Sequence, residues 1–131
     1  MTAQEIERHI TPMIGLPYRS GFRCWDLVRH VSLVLFDRHL PEVPEDIDGN
    51  LQIARAFRGN PERAKWKITN WPRSGSIVLM GAATREMHAG IYLDIDGGAV
   101  LHTQEKTGVA LDAFSELRSN VHTLNCYEYV G

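Results

Sequence analysis

The chain has 131 residues, 44% of them hydrophobic and 23% charged, with a formal net charge of -2. That is enough chain for one domain with one core and too little for two ordinary ones, so residues 1–131 are read as a single domain. The weakly acidic balance argues against non-specific nucleic-acid binding, and no apolar run approaches the roughly 18 residues that span a bilayer.

The N-terminus, Met1-Thr2-Ala3-Gln4-Glu5-Ile6-Glu7-Arg8, is polar and acidic and does not read as a secretory signal. Synthesis in the cytoplasm is therefore expected, with delivery to any outer site in a virion or by another route. Thr2 to Glu5 fits a capping box, and Ile6, Ile10 and Met13 share one helical face. Pro12, Gly15 and Pro17 predict an end near position 13. Tyr18 to Arg23 reads as a loop. From Cys24 to His39 the residues Leu27, Val28, Val31, Val34 and Leu35 recur at helical spacing, and Pro41 and Pro44 predict the stop.

Pro41 to Asn50 is acidic and turn-rich, and Leu51 to Phe57 reads as a short helix closed by Gly59. Asn60-Pro61-Glu62 signals another helix start. Arg55, Arg58, Arg63, Lys65, Lys67 and Arg73 make this region locally basic against Glu62. It is either a solvated face or a rim that attracts an anionic substrate. Trp66 and Trp71 are expected to pack or to line a cleft.

After Ser76 the pattern becomes extended. Ile77 to Met80 is a buried strand, and His88 to Leu93 with Ala99 to Gln104 form a hairpin around Asp94-Ile95-Asp96-Gly97-Gly98. A strand at Val109 to Leu111, a capped helix at Asp112 to Leu117 and a strand at Val121 to Val130 complete the order. Helices followed by an antiparallel meander define an α+β class, with N-terminal helices packed on a sheet of about five strands.

Cys24 stands at a helix N-terminus, where the helix dipole favours a thiolate, although Asp26 in the same turn opposes it. A nucleophilic thiol needs a base, and the base needs an orienting group. His88 and His102 supply candidates, provided that they share a face of the hairpin. A two-residue Asp96-Gly97 turn would put His102 opposite Ile91, on the face away from His88. Closing Asp94 with Gly98 would put His102 opposite Gly90, on the same face, with Gly97 free for positive φ. The catalytic reading therefore predicts the less obvious turn. Cys126 is expected to be a reduced, buried hydrophobe. No close metal-ligand spacing is present, and neither a metal nor a cofactor is expected.

The ordered blocks Pro17-Tyr18, Gly21-Phe22-Arg23-Cys24-Trp25-Asp26-Leu27-Val28, Arg73-Ser74-Gly75-Ser76-Ile77-Val78, His88-Ala89-Gly90-Ile91-Tyr92-Leu93, Val100-Leu101-His102 and Gly108-Val109 resemble the NlpC family. These are papain-like cysteine peptidases that cut bacterial cell-wall peptides. The resemblance spans about residues 11 to 112 and implies a papain-like fold. It implies Cys24 as nucleophile, His88 as general base and then acid, and His102 as the orienting member of a catalytic triad. Tyr18 would sit beside the thiol. Arg23 stands where the family has Asp, and Trp25-Asp26 where it has Ser-Gly. Tyr18, with Arg23 and Trp25 at the departures, is put forward as substrate-binding, and the departures put the usual diaminopimelate-peptide specificity in doubt. The tryptophan after the cysteine is similar to phage tail-associated members. The implied partner is the stem peptide of peptidoglycan, cut at a D-glutamyl to diamino-acid bond, with phage tail proteins as further partners. Two other classes stay open: a non-catalytic component of a phage tail or wall-binding assembly, and an acyltransferase or another amidase on the same fold.

Overall fold

Thr2 accepts the Glu5 N–H at 3.1 Å and starts helix α1, Ala3–Ile10, whose Ile6 and Ile10 are buried. Pro12 tightens the chain into a 3-10 turn at Thr11–Met13. The structure is a computed structural model describing residues 1–42, 59, 61–81 and 88–131. Helix α2, Cys24–Phe36, buries Leu27, Val28, Val31 and Leu35. It stops short of His39, before either proline. Asp37 takes a left-handed conformation (φ 52°), its N–H bonds Leu33 O and the Arg38 N–H bonds Ser32 O, both at 3.1 Å. These bonds close the helix at a left-handed cap, a conformation that Asp is among the few non-glycine residues to adopt readily.

A six-stranded antiparallel sheet follows, comprising β1 Trp66–Thr69, β2 Ile77–Gly81, β3 His88–Leu93, β4 Ala99–Gln104, β5 Gly108–Ala113 and β6 Thr123–Tyr129. Its order is β1-β6-β2-β3-β4-β5. The strand not anticipated is β1, a short edge strand paired with β6 through Trp66↔Tyr129 to Thr69↔Cys126. Its alternation is too brief to stand out from the basic segment around it. Pro61–Lys65 forms a 3-10 turn. The short helix expected at 51–57 lies outside the described residues, as does most of the acidic stretch before it.

The sheet carries helices on both faces. Leu27, Val31 and Leu35 of α2 meet Ile91, Leu93, Leu101 and Val109. On the other face Val78, Met80, Tyr92 and Val100 pack with Phe114 and Leu117 of helix α3, Phe114–Asn120. That helix was expected to begin at Asp112. Asp112 instead extends β5, where it pairs with Val100, and Ala113 is the residue before the helix. Trp66 is buried, whereas Trp71 is 84% exposed and packs against nothing that would make it a core residue.

The basic segment behaves as a solvated face where it is described. Lys65 pairs with Glu62, Arg73 with Glu128, and Arg63 donates to Trp66 O and lies over the Tyr127 ring. Cys24 and Cys126 are both free and both buried. Among the described residues, no helix is long and apolar enough to cross a membrane.

Candidate active site

Cys24 is the first residue of α2 and is 1% exposed. Asp26 accepts the Arg23 N–H at 2.8 Å and fixes the entry of the chain into the helix. Its carboxylate also lies 3.5 Å from Arg23 Nε. The thiol therefore has a nearby cation that favours its charge and a nearby anion that opposes it. Backbone N–H groups of Ala89 and Trp25 donate towards the sulfur. Burial outweighs them all and raises the thiol above its ordinary value. The helix-dipole expectation of a resting thiolate is thus corrected: desolvation wins at this site.

The histidines meet as the less obvious turn requires. Strands β3 and β4 pair Ile91↔Leu101, Tyr92↔Val100 and Leu93↔Ala99. Asp96 and Gly97 take positive φ in the connection. One more step of this register sets His102 opposite Gly90. A Cβ at Gly90 would lie 2.5 Å from Val100 Cγ1 and 3.2 Å from His102 Cβ. The bare backbone at this position gives the Val100 and His102 side chains their room. His88 Nε2 and His102 Nδ1 are 2.8 Å apart. Burial first, and then the neighbouring His102, push His88 down to about 4, so the ring is neutral at pH 7.

Sequence reasoning missed a third member of this row. His102 Nε2 lies 2.6 Å from Asp112 Oδ2. Register explains the contact: β5 pairs His102 with Ala110, so Asp112 is two positions along on the same face. Applying the hairpin logic once more, to the next strand, would have found it. The capped-helix reading of Asp112 hid that step.

Cys24 and His88 share the wall of a cavity of about 260 Å³, which Tyr18, Thr103, Gln104 and Lys106 also line. Tyr18 is held there by the preceding chain. Gly15 donates to Val109 O at 2.8 Å, and Val109 donates to Leu16 O at 2.9 Å, so residues 15 and 16 dock against β5. Gly108 permits this approach: it has φ 68°, and a Cβ there would come within 2.3 Å of Leu16 O. Burial and the neighbouring Cys24 raise the Tyr18 phenol, keeping it a hydrogen-bond donor at neutral pH. Thr103, another residue the sequence did not flag, is fully buried, and its Oγ1 has no hydrogen-bond partner among the described residues.

Two of the three expected substrate contacts are corrected. Trp25 is fully buried in the core beneath α2, and its indole N–H donates to Pro41 O at 2.7 Å. Its place in the helix turns it inward, where an aromatic ring is worth more as packing. Arg23 lines no wall of the cavity and is turned to Asp26. Tyr18 alone of the three lines it. A second cavity of about 270 Å³ opens on the α3 side, lined by His88, His102, His122, Met80 and Leu117 among others. His88, at the start of its strand, borders both. Among the described residues no group of three or more His, Cys, Asp or Glu side chains is arranged to hold a metal ion.

The site thus sets a buried thiol at a helix start beside a cavity that His88 shares, with His88 bonded to His102 on the antiparallel sheet. Residues 14–127 match the NlpC/P60 family, and the chain belongs to that family of cysteine peptidases and cell-wall hydrolases. No curated protein is similar enough to be matched.

Proposed function

We propose that this protein hydrolyses an amide bond in the stem peptide of peptidoglycan, of the D-glutamyl to diamino-acid type, with Cys24, His88 and His102 as its triad. The observation that carries the reading is the 2.8 Å bond between His88 Nε2 and His102 Nδ1, made by a histidine that borders the Cys24 cavity. With Nε2 engaged, Nδ1 is the His88 nitrogen left to serve the thiol.

The resting pair is thiol and neutral imidazole, since burial disfavours charge on both. As Cys24 Sγ attacks the carbonyl carbon, its proton passes to His88 Nδ1 and a carbon–sulfur bond forms. The oxyanion is met by N–H groups at the start of α2, with the Tyr18 hydroxyl alongside. His88 then gives the proton to the departing nitrogen, and the carbon–nitrogen bond breaks. Water, deprotonated by His88, releases the acid from the thioester and restores the thiol.

The test is digestion of purified stem-peptide fragments, with mass analysis of products. One new free amine and one new free acid per cut are expected. Cys24→Ala should show the same circular dichroism and no products. Equal product formation by that variant would refute the reading. Appearance of an acyl product on an added amine, without free acid, would assign a transferase instead.

A further inference from the structure

We propose that Asp112 is a positioning residue of this site: its carboxylate sets the tautomers of His102 and His88 so that His88 Nδ1 keeps a lone pair for the Cys24 proton. The inference rests on the hydrolase reading for its consequence, but its own content is the protonation pattern of two rings.

Donors and acceptors decide which ring nitrogens carry protons. An ionised carboxylate only accepts, so His102 Nε2, 2.6 Å from Asp112 Oδ2, must be the donor. A neutral imidazole has a single N–H, which leaves His102 Nδ1 as an acceptor. His88 Nε2, 2.8 Å from that nitrogen, must then carry its own ring's proton. His88 Nδ1 is left with its lone pair free. Without the carboxylate nothing chooses between the two tautomers of His102, and the choice passes on to His88.

Placement supports the role. The three side chains stand on one face along a diagonal across three adjacent strands, with Asp112 on β5, His102 on β4 and His88 on β3. The His102 side chain is 3% exposed, whereas that of Asp112 is 45% exposed. The middle of the row is therefore dry, and its Asp112 end keeps contact with water. Gln104 and His122 line the cavity beside the pair. When His88 takes the thiol proton, Asp112 stays ionised. Its charge favours the imidazolium through His102, and no proton moves to it.

The test compares the full chain with Asp112→Ala and Asp112→Asn. Ring nitrogen shifts of His88 and His102 are read by NMR at pH 7, and kcat, KM and the pH profile are read on stem-peptide fragments. In the unsubstituted protein both rings should carry the proton on Nε2. Asp112→Ala should give mixed tautomers at His102 and lower kcat about 10- to 100-fold, with KM within about two-fold. The acid limb of kcat/KM should move to lower pH, because a charge that favours the protonated rings is gone. Asp112→Asn can still accept through its amide oxygen, so it should keep the tautomer, lose less kcat and still shift the limb. Unchanged tautomers in Asp112→Ala, with kcat and the acid limb also unchanged, would overturn the proposal. If Asp112→Ala does not fold, an unmoved acid limb and unmoved ring shifts in Asp112→Asn would overturn it equally. If the unsubstituted protein cuts no stem peptide, the hydrolase reading fails by itself and the ring tautomers still decide the role of Asp112.

Discussion

Cys24 is governed by two opposing effects, the helix N-terminus that favours a thiolate and burial that disfavours it. Burial is the larger, and the thiol is raised. Iodoacetamide should therefore label Cys24 slowly at pH 7, with a rate that climbs through alkaline pH beyond the midpoint of a free thiol. Cys126→Ser removes the background of the second thiol. Rapid Cys24 labelling at pH 6 would contradict this and return the resting thiolate expected from the helix dipole alone. The placement of Cys24 at a helix start and of both histidines on one face of a hairpin was legible in the sequence, because each has a local pattern. Asp112 was not, because its partner His102 is fixed by a strand register that depends on where β5 ends. Trp25 was misread for a related reason. Its neighbour Cys24 lines the cavity, but a helix turns successive side chains by about 100°, and position 25 turns into the core.

At the scale of elements, α2 has two tasks. Its start presents Cys24, and its apolar stripe anchors it to the sheet through Leu27, Val31 and Leu35. The Trp25 indole ties the same turn to Pro41 O. Trp25→Phe should keep the ring packing but leave that carbonyl without its donor. Stability in urea should fall by about 1–2 kcal/mol, while KM for stem-peptide fragments stays unchanged. A several-fold rise in KM at unchanged stability would instead restore Trp25 to the substrate. The strands β3 and β4 were legible to the residue, since alternation and a glycine-rich turn bracket them. Edge strand β1 was not, because a four-residue strand, Trp66–Thr69, is stabilised mainly by its pairing with β6, a long-range contact. The early end of α2 was missed because Asp37, not a proline, supplies the stop.

For the whole molecule, buried His88 at the start of β3 ties stability to pH. His88 is lowered from the ordinary 6.5 to about 4 in the folded protein. Between those values the unfolded chain binds the proton and the folded one resists it, so stability falls as pH drops from 6.5 to about 4 and levels off below. The loss should be on the order of 3 kcal/mol. Urea melts across this range check it, and His88→Gln should flatten the slope. An equal slope in that variant would place the titrating group elsewhere. The α+β class and helix-then-sheet order were legible from periodicity, since each reflects local alternation. The pairing of the final strand β6 between β1 and β2 was not, because it joins distant parts of the chain.

The most direct measurement of the central claim is intact-protein mass spectrometry of a reaction with a stem-peptide fragment, quenched in acid within a turnover. A thioester on Cys24, absent in Cys24→Ala and strongly reduced in His88→Ala, is the result this account predicts. Free acid product with no adduct on Cys24, formed equally by Cys24→Ala, would contradict it.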